Sequence, residues 1–193
     1  MPADRRLGVL AFGDSITNAG GELQWGVALQ SWALWIARAL GLAYTGFATD
    51  GARFDLAAWR GKTVVLYFQE GVGCEPCWTQ IKDIQSNFSQ LQALGVDQVV
   101  TITGDPMDAL KQKAALEGIT SPVLSDPGLR VSSTYSANQY GMMGTSADGH
   151  TFIVVGPDGT IRWRADYGGA PKYTMFLPTT SLLADIKAGE HPS

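Results

Sequence analysis

Both cysteines of this 193-residue chain fall in one short stretch, Gly73-Cys74-Glu75-Pro76-Cys77-Trp78. Two thiols at this spacing can close a small disulfide across the first turn of a helix, which makes the pair redox-active. A thiolate at a helix N-terminus faces unpaired backbone N–H groups and the positive end of the macrodipole. The sequence therefore predicts a lowered pKa for Cys74. Pro76 suits the first helical turn, where a missing N–H loses no hydrogen bond. A structural zinc site would need four ligands, and neither a second Cys pair nor a His pair is there to complete one. The chemistry on offer is thiol–disulfide chemistry, with an inert structural pair as the alternative. It requires no metal and no organic cofactor.

The elements that carry the motif follow from periodicity and turn residues. Lys62 to Gln69 reads as a buried strand, and Cys77 opens an amphipathic stretch that runs to Leu94. Gln98 to Thr103 is a second strand. Pro106 to Glu117 reads as a helix with Asp105 as its N-cap. Pro122 to Ser125 is a short strand ahead of a helix opened near Asp126-Pro127. Phe152–Val155 and Thr160–Ala165 are strands joined by Gly156-Pro157-Asp158-Gly159, a hairpin turn signal. Thr179 to Ala188 closes the series as a helix. This order predicts an α/β fold with a mostly parallel sheet ending in an antiparallel hairpin.

Composition bounds the partners. With 45% hydrophobic and 17% charged residues and a formal net charge of −4, the chain reads as a soluble globular protein. Its length suits one domain, or one domain with an extension. A mildly acidic chain without basic runs is a poor binder of nucleic acid or anionic membranes. The apolar run after Arg5 and Arg6 is only Leu7 to Phe12, too short for a signal-peptide core. A cytoplasmic location is the expectation, and a CxxC pair in a reducing compartment is more often catalytic than structural.

The stretch from about residue 53 to 189 resembles the thioredoxin-like redoxin families: thiol–disulfide oxidoreductases and the AhpC/TSA-type peroxiredoxins. The likeness rests on KTVVLYFQ, GCEPCW and TFIVVGPDGTI, in that order. It implies a three-layer α/β/α domain over 53–193 with a mixed sheet. It also implies dithiol exchange, in which Cys74 attacks a substrate disulfide and Cys77 resolves the mixed disulfide. The implied partners are a disulfide-containing protein or small disulfide, and a reductase or small thiol as electron donor. The alternative is a thiol peroxidase. Peroxiredoxins carry a Pro-x-x-x-Thr/Ser-x-x-Cys loop whose hydroxyl, with an Arg, activates peroxide. Counting back from Cys74, Gly71 stands at the Thr/Ser position and Tyr67 at the Pro position.

Aligning the final hairpin on Gly159 puts His150 where thioredoxins have a cis-proline and peroxiredoxins often have the Arg. His150 would then serve as a proton-transfer group or polar contact beside the thiolate, or it is an ordinary loop residue. Glu70 could move a proton from Cys77, or stand as an exposed loop carboxylate. Tyr140, Met142 and Met143 would line an apolar groove or pack in the core. Trp78 is expected to pack beneath the motif.

The first fifty residues read differently. A strand at Leu7–Phe12 leads into Gly13-Asp14-Ser15-Ile16-Thr17, then a helix from about Val27 to Leu40 and an apolar run Leu42–Phe47. This flavodoxin-like βαβ segment, about residues 1–52, resembles the opening of the SGNH (GDSL-type) hydrolases, where the Ser of Gly-Asp-Ser is the nucleophile. Such an enzyme also needs an Asp-x-x-His base, but Ala147 stands three residues before His150 and Ala188 three before His191. Its Gly-x-Asn-Asp donor segment is replaced by Gly104-Asp105-Pro106. Without a base Ser15 is a weak nucleophile, so the motif reads as vestigial and an esterase is not expected. The segment cannot cover its own edges and must pack on the redox domain. Its helix 28–40 is apolar nearly all round, which burial on two sides or a homodimer contact would explain. The chain thus reads as a mosaic of two families, and a recombined scaffold without evolved activity is the third alternative.

Overall fold

A computed structural model of the chain describes residues 23–24, 27–28, 45–48 and 53–190. It divides into two compact units, residues 1–45 and 46–193. In the first, strands β1 (Leu23–Gln24) and β2 (Val27–Ala28) pair antiparallel, Gln24 with Val27 and Leu23 with Ala28. Val27 and Ala28 were expected to open the apolar helix. The backbone ladder to the preceding strand instead holds them extended. The rest of that helix, the strand 7–12 and Gly13, Asp14 and Ser15 lie outside the described residues.

The second unit is built on a seven-stranded mixed sheet. Its strands are β3 (Thr45–Ala48), β4 (Arg53–Asp55), β5 (Thr63–Phe68), β6 (Val96–Thr103), β7 (Val123–Ser125), β8 (Thr151–Val155) and β9 (Ile161–Asp166). They lie side by side in the order β4-β3-β7-β6-β5-β8-β9. Strand β6 runs parallel to β5 and β7, whereas β3, β8 and β9 pair antiparallel with their neighbours. The sheet is thus less parallel than the element order predicts. The cause is that β8 returns to the centre beside β5 and β3 adds to β7 from before the redox motif.

Strand β5 shows why its sequence is apolar at every position from Val64 to Phe68. Val65 and Tyr67 join a core with Trp78, Ile81, Leu110, Phe152 and Leu182 on one face. Val64, Leu66 and Phe68 join Val100, Ile102, Ile153 and Ala137 on the other. A strand buried on both faces has no polar side to alternate with.

Helix α1 (Glu75–Ser86) follows β5, and α2 (Phe88–Ala93) follows α1. The sequence predicts one helix over 77–94. The break falls at Asn87, whose Nδ2 donates to the Asp83 carbonyl at 2.8 Å and to the Asp83 carboxylate at 3.0 Å. A side chain competing for a helical carbonyl in this way bends or ends a helix. Helices α3 (Met107–Glu117), α4 (Arg130–Thr134) and α5 (Thr179–Glu190) complete the set among the described residues. Asp126 accepts from the backbone N–H groups of Arg130, Val131 and Ser132 and so opens α4. The buried side chains of α1 are Cys77, Trp78, Gln80, Ile81 and Ile84, the i, i+3, i+4 stripe of a helix laid on a core.

Candidate active site

Cys74 and Cys77 are joined in a disulfide with Cα atoms 5.3 Å apart. Cys74 is the N-cap of α1, with φ −90° and ψ 86°. Its carbonyl accepts from the N–H groups of Cys77 (3.0 Å) and Trp78 (3.2 Å), which makes it the first acceptor of the helix. Pro76 lies in the first turn, as expected of a residue without an N–H. Cys74 is half-buried at the head of the helix, and Cys77 is fully buried behind it. Any approach to the disulfide from outside is therefore on the side of Cys74, since Cys77 has no exposed surface. As a disulfide the pair does not titrate, so the lowered pKa expected of Cys74 concerns the reduced protein alone.

The loop between β5 and α1 is braced from several directions. The Gly71 carbonyl accepts from the Cys74 N–H at 3.1 Å and from the Trp78 indole Nε1–H at 3.2 Å. Trp78 has no exposed surface and packs into the core under the motif. Gln69, also fully buried, accepts from the Gly71 N–H through Oε1 at 2.6 Å. The N–H of Val72 donates to Asp105 Oδ2 at 2.9 Å, and that oxygen also accepts from the Thr103 hydroxyl at 2.7 Å. The sequence predicts Asp105 as the N-cap of α3. Pro106 takes the cap position without a side-chain bond, and the Asp105 carboxylate turns instead to the redox loop. A loop donor and a neighbouring hydroxyl together hold it there.

Gly71 is committed to this arrangement. Its φ is +129°, and a Cβ at this position would lie 2.4 Å from Asp105 Oδ2. The place where the peroxiredoxin loop has a Thr or Ser is thus a glycine backed by a carboxylate from the end of β6.

The remaining expected site residues lie around the motif at varying remove. Glu70 is half-buried and accepts from the Met142 N–H at 2.8 Å, which ties the 140–143 loop to the end of β5. Met142 and Met143 are exposed, and Tyr140 is half-buried with its ring over the Arg164 guanidinium at 5.2 Å. His150 is fully buried in an aromatic cluster with Tyr67, Phe152 and Tyr167. Its Nδ1 lies 3.3 Å from the Tyr67 hydroxyl. Burial pushes its pKa down to about 3, and the Met175 backbone offsets only part of that. His150 is therefore a neutral imidazole at ordinary pH. It can accept or share a hydrogen bond, but it cannot supply a proton as imidazolium.

Two groups near the site were not anticipated. Lys113, on α3, reaches across to Glu75 inside the motif. Its spacing from Glu117 fits an i,i+4 ion pair, the one sequence signal that marked it. Asp148 is fully buried, and neither of its carboxylate oxygens reaches a full hydrogen bond. Burial first, then the Asp126 and Asp105 charges, push its pKa up to about 7. The neighbouring Ser132 hydroxyl, already committed to Asp126 at 2.8 Å, offsets part of the rise. Nothing in the sequence around Asp148 distinguishes it from a loop carboxylate. No group of three or more His, Cys, Asp or Glu side chains among the described residues is placed to hold a metal ion. No helix among them is long and apolar enough to cross a membrane.

A mixed sheet flanked by helices, with a cysteine pair where the first central strand meets its helix, defines the thioredoxin-like class. The model of the AhpC/TSA family matches residues 39–164, and the chain belongs to that family. That match reaches back into the stretch read as hydrolase-like. A Mycobacterium tuberculosis protein named "Putative peroxiredoxin Rv2521" is 32% identical over 124 residues, covering 62% of this chain and 77% of that protein. Among solved structures, peroxidoxin BcpB from Mycobacterium tuberculosis superposes with a TM-score of 0.63. It shares 16% identity, over 76% of this chain and 92% of that one. AhpC from Enterococcus faecalis gives 0.59 at 20% identity, over 79% of this chain and 93% of that one. These likenesses establish the peroxiredoxin form of the thioredoxin-like fold.

Proposed function

We propose that this chain is a thiol peroxidase of the peroxiredoxin kind, with Cys74 as the attacking thiolate and Cys77 as the resolving thiol. The observation that carries the reading is the Cys74–Cys77 disulfide itself, with a half-buried cysteine at the helix head and a fully buried one behind it. Membership of the AhpC/TSA family favours a hydroperoxide as the oxidant. In the first step the Cys74 thiolate attacks the terminal oxygen of the hydroperoxide. The O–O bond breaks, an alcohol or water leaves, and the sulfur becomes a sulfenic acid. The Cys77 thiol then attacks that sulfur, releases water and forms the disulfide. A dithiol reductant supplies two electrons and two protons to restore both thiols. The chain's own part is to present the thiolate at a helix N-terminus and to keep the resolving sulfur one turn away.

Gly71 favours a second reading. With no hydroxyl at that position, dithiol–disulfide exchange with a protein or small-molecule disulfide needs nothing that the loop lacks. One experiment separates the two. Reduced protein is mixed rapidly with hydrogen peroxide or an alkyl hydroperoxide while tryptophan fluorescence is followed, with Trp78→Phe as control for the reporter. Oxidation much faster than that of a free thiol, lost in Cys74→Ser, is the expected result. Oxidation at the free-thiol rate, beside insulin-disulfide reduction that depends on Cys74, would overturn the peroxidase in favour of exchange.

A further inference from the structure

The only charged side chain inside the Cys74–Cys77 loop is Glu75, and it is not left alone. Lys113 Nζ on α3 lies 2.5 Å from Glu75 Oε1 and 2.8 Å from Glu117 Oε1, while Lys82 Nζ lies 2.6 Å from Glu117 Oε2. Lys113 also stands 5.8 Å from the centre of the Trp78 ring. Its side chain is only 15% exposed, held between Glu75, Glu117 and the Trp78 ring. The four charges cancel. Two other carboxylates lie beside the loop, Glu70 on the Met142 N–H and Asp105 on the Val72 N–H and the Thr103 hydroxyl; these neutral donors leave their charges in place, unchanged by a substitution at Lys113.

A carboxylate next in sequence to a thiolate opposes its ionisation, and a cation paired with that carboxylate removes the opposition. We propose that Lys113 is a positioning residue for the dithiol, which by pairing with Glu75 ties the first turn of α1 to α3 and neutralises the one negative charge within the redox loop. This rests on the Cys74–Cys77 pair being the reacting group, whichever oxidant it meets. The consequence is that the reduced pair is more acidic, and more easily formed from the disulfide, than the motif Cys-Glu-Pro-Cys would be by itself. Glu75 is 68% exposed, so water screens its effect on Cys74 and a shift of about half a pKa unit is the appropriate scale. For a thiol ionised at the working pH, half a unit corresponds to roughly a threefold shift of the dithiol–disulfide equilibrium.

The test is a redox titration of the full chain in a dithiothreitol buffer, together with the thiolate absorbance of Cys74 as a function of pH. Lys113→Met is expected to raise the Cys74 pKa by about half a unit and to move the equilibrium roughly threefold toward the disulfide. Lys113→Arg is expected to restore both values, and so is the double variant Lys113→Met/Glu75→Gln, which removes the exposed charge along with its partner. Glu75→Gln alone keeps the Lys113–Glu117 pair and is expected to shift the pKa downward, which gives a reading even if Lys113→Met folds poorly. Unchanged pKa and equilibrium in Lys113→Met, or a double variant that behaves like Lys113→Met, would overturn the proposal. Neither readout uses a peroxide or a protein disulfide. Failure of the peroxidase reading would therefore show in the mixing experiment and leave this titration intact.

Discussion

Placing a methyl group on Gly71 tests whether the redox loop is shaped by the contacts described above. At φ +129° an alanine sits outside the regions that L residues occupy readily, a strain of order 1–3 kcal/mol. The new Cβ would stand 2.4 Å from Asp105 Oδ2, so the carboxylate must withdraw. Withdrawal weakens its bonds to the Val72 N–H and the Thr103 hydroxyl, each a hydrogen bond to a charged group worth roughly 1.5–3 kcal/mol. Asp105 is only half-buried and can be rehydrated, so the lower end of one such bond is the fair figure. A total near 3.5 kcal/mol, within about 2.5–4.5, is the expected loss for Gly71→Ala. Urea unfolding of the disulfide-bonded protein measures it. In an Asp105→Ala background the collision is gone and only backbone strain remains, so the cost should fall by about 1.5 kcal/mol, to about 1–3 kcal/mol. A loss below about 0.5 kcal/mol, or the same loss in both backgrounds, would refute the reasoning.

Cys77→Ser is expected to stop the reaction after the first step, leaving a Cys74 sulfenic acid that a dimedone adduct reveals by mass spectrometry; no adduct at Cys74 would remove it from the attacking role. Trp78→Phe loses the indole bond to the Gly71 carbonyl and leaves a partial cavity, a combined loss of about 2–3 kcal/mol in urea unfolding. The buried Asp148 has a folded pKa raised from 3.8 to about 7, so the folded state holds the extra proton between those values. Its contribution is fully present below about pH 4 and is lost as pH rises through about 7. The stability of Asp148→Asn relative to the parent should therefore climb across that window, and a flat difference would count against a proton on Asp148. His150 acts in the opposite sense: its pKa is depressed to about 3, so the stability it contributes is present above about pH 6.5 and lost toward pH 3. His150→Gln should flatten acid unfolding over that range.

How far the sequence could be read depended on whether an interaction was local. Strand β5, the hairpin β8–β9 and helix α5 announced themselves through unbroken apolar runs, turn residues and periodicity, and they fall within a residue or two of their expected ends. The cysteine pair and Pro76 were legible for the same reason, because one helical turn contains everything that defines them. The sheet order was less so. Nothing within β3 states that it will pair antiparallel with β7, about seventy-five residues on, with Phe47 opposite Ser125. His150 shows the limit for single residues. Its type invites a catalytic role, but the side chains that make it neutral come from β5, β8 and the segment after β9.

The machinery around the dithiol is non-local in a way that bears on its chemistry. Asp105 braces Val72 across 33 residues, Lys113 reaches Glu75 across 38, and Trp78 returns to Gly71 across seven. None of these contacts involves sulfur. When the Cys74–Cys77 bond is reduced, the loop loses one cross-link of three residues' span but keeps braces to β6, to α3 and to the core. A short-span disulfide contributes little to restricting the unfolded chain. Its reduction is therefore expected to cost the fold little while changing the chemistry completely. A redox pair that cycles needs this separation of roles: the bond that is made and broken must not be the bond that holds the site together. The glycine at position 71, which removes a peroxiredoxin-like hydroxyl, also makes room for the carboxylate that performs part of the holding.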